Sequence, residues 1–331
     1  MISLALSLLL LATIAPASFG GSPGLCSSVK PYSYSVAKTQ YPHLKNAIET
    51  VESQPIATWY TDRSQDAKNQ AKTVVGHCQS GDRPTVVVYG LPNKDCEGHQ
   101  SSDGANKTPE DYAGFLHSLV DAVGDNDVIY IVEPDAVGLL AGGSSCANSF
   151  GYQANLIQAV SILGKNPRAD LYVDIGYWVL GNQNDDKIAK VLAKLDPSGK
   201  RLKGISINTS NFRSTAELVR LCNNFVSAAK KTTGLSATCV LDISRNFQGP
   251  DPSSQWCNPK GRGIGAPPSV HPEAYPLIDY FLWIKPPGES DGYCNGGPNA
   301  GAFFVDGFVE LWNNGYFVQA QNMSRISTAT L

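Results

Sequence analysis

The 331-residue chain lacks an excess of charge of either sign: 26 Lys and Arg stand against 29 Asp and Glu, a net charge of −3. So balanced a sequence gives no electrostatic reason to expect nucleic acid or an anionic membrane as partner. Glycine-rich phosphate loops are missing, since neither G-x-G-x-x-G nor G-x-x-x-x-G-K-S/T occurs. An open nucleotide-binding sheet would usually carry one after its first strand. No two cysteines form a C-x-x-C pair, which argues against zinc or dithiol redox use. Histidine is scarce, five in all, and His43, His77, His99, His117 and His271 are scattered. Hydrolytic metal sites generally draw on histidine, so no metal and no cofactor are expected. Internal repeats, charge blocks and low-complexity linkers are also absent, and a single domain follows.

Long apolar runs are missing beyond the first twenty residues. That opening segment, MISLALSLLLLATIAPASFG, is a Leu-rich run ending in small residues. It lacks the basic start such segments usually carry and is too short to span a bilayer comfortably, so residues 1–20 read as a secretory signal peptide. Residues 21–331 are then the mature, extracellular chain, expected to be a monomer. Eight cysteines fit that compartment and imply four disulfides. Sequons at Asn106, Asn208 and Asn322 allow N-glycans.

With 42% hydrophobic and 17% charged residues the chain has material for a large core. Short apolar runs alternate with longer amphipathic segments. Strands are expected at 85–89, 127–132, 170–174, 204–208, 238–242 and 280–284. Helices are expected from Thr108, from about Gly151, near 185–195, from about Ser214 to Lys231, and near 301–312. Thr108 suits an N-cap, Pro109 the first helical position, and Glu110 and Asp111 the positive helix end. Strands apolar on both faces and alternating with helices predict a parallel α/β sheet, open or closed into a barrel.

Carboxylates follow these strands with unusual regularity: Asp95 after Tyr89, Glu133 and Asp135 after Val132, Asp174 after Val173, Asp242 after Leu241, and Glu289 and Asp291 after Ile284. One such acid is a helix cap or a turn. Acids after five of six strands point to the face of an α/β barrel where active sites sit. A paired acid and base with aromatics to stack on sugar rings is what glycoside hydrolysis needs. Trp59, Tyr89, Tyr177, Trp178, Trp256 and Trp283 lie at or beside the same strand ends.

Eight stretches then occur in a fixed order: ATWY at 57–60, VVYGLPNKDC at 87–96, IVEPDA at 131–136, LYVDIG at 171–176, GISINTSNF at 204–212, LDISRN at 241–246, WCNPKGRGIG at 256–265 and WIKPPGESDG at 283–292. Over nearly its whole mature length the chain resembles glycoside hydrolase family 6, the cellulases that include endoglucanases and cellobiohydrolases. The resemblance implies a distorted (β/α) TIM-like barrel of one domain, with an open substrate cleft at the C-terminal ends of the strands. It also implies an inverting hydrolase of β-1,4-glucan or cello-oligosaccharides.

By the same resemblance Asp135 is the general acid, kept protonated by a neighbouring carboxylate, Asp95. Asp95 is also a candidate to orient or deprotonate the attacking water, and Asp291 is the other residue proposed as base. Arg245 and Lys285 match cations that keep Asp291 ionised, Asp174 an electrostatic acid, and Tyr89 a residue beneath the distorted ring. Trp59 and Trp256 match sugar platforms; Glu289 and Asn211 match contacts to hydroxyls. Of Ser101 and Ser102, Ser102 is the better match for the serine that holds the water. Cys96 pairs with Cys146 and Cys257 with Cys294 by the resemblance, which leaves Cys26 with Cys78 and Cys222 with Cys239 by elimination.

Departures from the family pattern are equally specific. Gly90 and Lys94 stand where a polar residue and Arg are usual, so a point charge would replace a bidentate contact beside Asp95. Tyr177 replaces a histidine. The tryptophans that normally follow it are largely absent from WVLGNQ at 178–183, so weaker binding beyond the cleavage point is expected. Between Gly292 and the last helix only YCNGGPN at 293–299 intervenes. That is too little chain for the long roofing loops of cellobiohydrolases, and internal cleavage is expected. Two alternatives remain: a glucan-binding protein that kept the fold and lost the chemistry, and an enzyme for mixed-linkage glucan or xyloglucan.

Overall fold

The computed structural model describes residues 24–63, 69, 71–72, 78, 81–181 and 184–327. The segment read as a signal peptide lies outside them. Nine strands are present among the described residues: β1 Leu25–Cys26, β2 Thr58–Thr61, β3 Arg83–Tyr89, β4 Val128–Val132, β5 Ala169–Ile175, β6 Leu202–Ile207, β7 Thr238–Asp242, β8 Ser269–Val270 and β9 Ile278–Leu282. They are ordered β1-β3-β4-β5-β6-β7-β9-β8, and β2 also pairs with β3. Every pairing is parallel except β8 with β9.

The period-2 geometry of a strand explains why these segments are apolar throughout. In β3, Val87 and Tyr89 join Ile129, Ile131, Tyr172, Val240 and Leu282 in the barrel interior. Their neighbours Val86 and Val88 belong to the larger outer core, with Tyr112 and Leu116 of the helix Pro109–Val123. That helix starts as expected: Thr108 accepts from the Asp111 N–H in a reciprocal capping box, with Pro109 at the first turn.

The wall has one seam. Between β9 and β2 the backbone makes a single bridge, Ile56 to Trp283, in which the Ala57 N–H donates to the Trp283 carbonyl at 2.9 Å. Three strands are missing from the sequence expectation, the two-residue β1 and β8 and, at the seam, β2. Four residues, TWYT, make no run, and its place is fixed by pairing with β3. The helices Tyr32–Gln40, Lys45–Glu52 and Ala136–Gly142 were not anticipated either.

All four disulfides join the expected partners: Cys26–Cys78, Cys96–Cys146, Cys222–Cys239 and Cys257–Cys294. Two of the three sequons are corrected. Asn106 and Asn208 are buried, and their amide nitrogens donate to the carbonyls of Gly90 and Asp242 at 2.7 Å each. A buried, engaged nitrogen is closed to glycan attachment, whereas Asn322 is exposed.

At the C-terminal end of the barrel, Asp242 holds three loops at once. Its fully buried carboxylate accepts from the N–H groups of Ser210 at 3.0 Å, Ser244 at 3.0 Å, Ile284 at 3.2 Å and Lys285 at 3.1 Å. Replacement by Ala strands four backbone donors, each costing about 1–3 kcal/mol when buried without a partner. Asp242→Ala is therefore expected to lower the free energy of unfolding in urea by roughly 3 kcal/mol or more; a change within about 0.5 kcal/mol, the scale of an ordinary surface substitution, would contradict this role.

Candidate active site

The chain leaves β4 through Glu133, Pro134 and Asp135, and the two acids part company there. Both have left-handed backbones, φ 49° at Glu133 and 71° at Asp135, a conformation that costs a non-glycine residue roughly 1–3 kcal/mol. Glu133 turns into the wall, where Oε1 accepts from the Gly90 N–H at 2.9 Å and the Tyr112 hydroxyl at 2.8 Å. Burial pushes its carboxyl up to about 7 against those two bonds. Asp135 occupies the N-cap of the helix Ala136–Gly142 and faces the cleft.

Its own N–H donates to Asp174 Oδ1 at 2.8 Å. Asp174, fully buried at the end of β5, also accepts from the Thr209 hydroxyl at 2.5 Å. Burial raises Asp174 to about 6, opposed by the bonds from Thr209, the Asp135 N–H and Ser206. Burial first, then the charge of Asp174, then that of Asp95, raise Asp135 well above the usual carboxyl range. The neighbour that contributes most to holding the proton on Asp135 is therefore Asp174, ahead of the Asp95 named by the sequence reading.

Asp95 lies on the loop after β3. Its Oδ2 accepts from the N–H groups of Gln100 at 2.7 Å and Ser101 at 2.6 Å, which partly offset the rise that burial imposes. The loop approaches so closely that a Cβ on Gly98 would stand 2.3 Å from Asp95 Oδ1. Ser101 lines the cleft beside Asp95 and Ser102 does not, so the preference for Ser102 is corrected.

Asp291, after β9, is gripped by Arg245: Nη2 donates to Oδ1 at 2.9 Å and Nη1 to Oδ2 at 3.1 Å, while the Asn258 N–H adds a bond to Oδ2 at 3.0 Å. Arg245 stands over the Phe212 ring at 4.2 Å and does not line the cleft itself. Lys285 donates to the Ser290 carbonyl at 2.9 Å and lies 5.9 Å from the Trp59 ring. Burial lowers its ammonium, with Asp291 and Glu289 opposing. Glu289 accepts from the Ser33 hydroxyl at 2.8 Å and is raised by burial.

These groups border a cleft of about 910 Å³. Of the residues expected at the site, Trp59, Tyr89, Asp95, Asp135, Tyr177, Asn211, Trp256, Lys285, Glu289 and Asp291 line it. Trp178 lines it as well, 43% exposed, with its indole packed so tightly on Gly176 that a Cβ there would meet the ring at 1.9 Å. Trp178, one of the aromatics expected at the strand ends, thus extends the aromatic surface beside Tyr177. Gln100, Arg63 and Thr209 also border the cleft and were missed.

Lys94 is corrected outright. Its side chain is 2% exposed and forms a buried ion pair with Asp62, away from the cleft, with its ammonium 5.4 Å from the Tyr89 ring. It packs near Tyr89 with its charge paired to Asp62. Gly90 has a packing reason as well: a Cβ there would strike the Phe115 ring at 2.5 Å, and Phe115 stacks on Tyr60 at 4.2 Å.

Known proteins share this fold. Among solved structures, the endoglucanase Cel6 from Mycobacterium tuberculosis, in complex with methyl-cellobiosyl-4-deoxy-4-thio-β-D-cellobioside, superposes with a TM-score of 0.74 at 31% identity, covering 88% of this chain and 97% of that one. Endoglucanase 1 of a Streptomyces species (strain KSM-9) is 32% identical over 257 residues, 75% of this chain and 67% of its own. Endoglucanase A of Cellulomonas fimi is 28% identical over 275 residues, and the match spans only 56% of its length. A probable exoglucanase of Podospora anserina is 30% identical over 262 residues, so both endo- and exo-named relatives occur. The family model described as glycosyl hydrolases family 6 matches residues 27–315, and the chain belongs to that family.

Proposed function

We propose that the protein is a secreted, inverting endo-β-1,4-glucanase acting on cellulose or a related β-glucan, with Asp135 as its general acid. The observation that carries this reading is the placement of Asp135, a carboxyl raised above its usual range by burial and by Asp174, facing a cleft lined by Trp59, Trp256, Tyr177 and Trp178. A glucan laid on those rings presents its glycosidic oxygen to a proton donor. As the bond breaks, Asp135 gives up its proton and the ring gains oxocarbenium character.

Water attacks from the opposite face in an inverting enzyme. Asp95, with Ser101 beside it, is the group suited to orient and deprotonate that water, directly or through a second one. Asp291 suits this task less, because three N–H donors already occupy its oxygens. Its role is to supply negative charge near the developing cation. Tyr89 lies beneath the reacting ring, and Lys285, Glu289 and Asn211 bind hydroxyls. Internal cleavage is supported by the short 293–299 segment, and secretion by four disulfides, an arrangement of oxidising compartments.

Two results test the acid. Asp135→Asn is expected to cut turnover of an unactivated β-glucan by at least about 100-fold, with folding and ligand binding nearly intact; hydrolysis at the wild-type rate would end the assignment. Because Asp135 must carry its proton, activity is lost as pH rises through its raised pKa. Asp174→Asn keeps the Oδ1 acceptor for the Asp135 N–H but removes the charge that holds the proton. The alkaline limb of the kcat/KM profile is therefore expected to move to lower pH in Asp174→Asn, and an unmoved limb would mean that Asp174 does not govern the acid.

A further inference from the structure

Asp95 and Asp291, the two cleft carboxylates weighed as base, belong to loops that flank the barrel's seam. Asp95 follows β3 and Asp291 follows β9, and between these strands stands only the four-residue β2, unpaired with β9 except for the bridge at Ile56 and Trp283. The sheet therefore does little to fix one loop against the other. The disulfides do not help, because Cys96–Cys146 and Cys257–Cys294 each hold a loop to its own side of the seam.

We infer that Gln100 is a positioning residue for the reaction, a latch that sets Asp95 against Asp291 across the seam. Its backbone N–H donates to Asp95 Oδ2 at 2.7 Å, next to the bond from Ser101 at 2.6 Å. The side chain of the same residue reaches the other loop, where Oε1 accepts from the Tyr293 N–H at 3.1 Å. Tyr293 lies two residues after Asp291. The fit is close: a Cβ on Gly292 would stand 2.2 Å from Gln100 Oε1, so glycine at that position makes room for the latch.

Arg63, which follows β2, ties the same two loops less directly. Its Nε lies 2.8 Å from Asp103 Oδ1 on the β3 side, and Nη1 donates to the Ala300 carbonyl at 3.4 Å on the β9 side. Asp103 is 71% exposed, whereas Gln100 is half-buried and touches the carboxylate itself. Among the described residues, Gln100 is thus the one whose backbone holds one acid and whose side chain holds the loop of the other. With the latch closed, the Gln100 and Ser101 N–H groups stay aimed at Asp95, and the site where water is held keeps its width.

The inference rests on the proposed glucanase reading, and its test separates the two. Wild type, Gln100→Ala and Gln100→Glu are compared by amide hydrogen exchange and by kinetics on cellohexaose. Gln100→Ala is expected to speed exchange at Tyr293 and Ser101 and to lower kcat by about 3- to 10-fold, the effect of one hydrogen bond, with KM changed less than about twofold. Gln100→Glu keeps an acceptor oxygen and is expected to restore protection at Tyr293. Unchanged exchange at Tyr293 in the Ala variant would overturn the latch, as would a kcat within about twofold of wild type. A loss carried by KM alone would instead make Gln100 a substrate contact. If wild type leaves cellohexaose intact, the glucanase reading fails, and the exchange rates alone judge the latch.

Discussion

A carboxyl group that must keep its proton beside two other carboxyls is the constraint around which the site is built. Asp135 meets it through backbone geometry. Left-handed conformations on both sides of Pro134 send Glu133 into the wall and Asp135 into the cleft, and the Asp135 N–H pins Asp174 behind it. Asp174 is pinned again by Thr209 from the end of β6. Its own oxygens are thus satisfied while its charge still raises Asp135. The strain at two non-glycine residues is sustained because the surrounding hydrogen bonds over-determine the turn.

The same economy governs the charges further out. Asp242 spends its carboxylate on four backbone donors and so aligns the loops after β6, β7 and β9. Asp291 is held by Arg245, and Arg245 rests on Phe212. Lys94 and Gly90 look like losses of function when read as single positions. In the fold each has a partner: Lys94 pairs with Asp62 behind Tyr89, and Gly90 yields its space to Phe115. Lys94 and Gly90 are therefore packing solutions, whereas Tyr177, the third departure, lines the cleft itself.

What the sequence made legible was what repeats along it. Runs such as TVVVY and VIYIV announce buried parallel strands because both faces are covered, and Thr108-Pro109 announces a helix because the cap is local. The acids were legible for the same reason, recurring after five of the six expected strands. Three kinds of feature were not. β2 is too short to form a pattern and exists through its pairing with β3. The partners of Lys94 and Gln100 lie 32 and 193 residues away, beyond any local signal. The choice between Ser101 and Ser102 depends on which residue borders the cleft, where the Ser101 backbone N–H donates to Asp95, and two adjacent serines carry the same chemistry. Trp178 was legible as a strand-end aromatic, and Gly176 two residues earlier is the space its indole requires.

The most direct measurement is proton NMR of cellohexaose freshly mixed with the protein, following the anomeric signals before mutarotation. An acid at Asp135 with water held by Asp95 on the opposite face predicts α-anomer first, in a spread of dimer, trimer and tetramer. First appearance of β-anomer would contradict the account, because retention requires a second displacement that a single attack by water does not make.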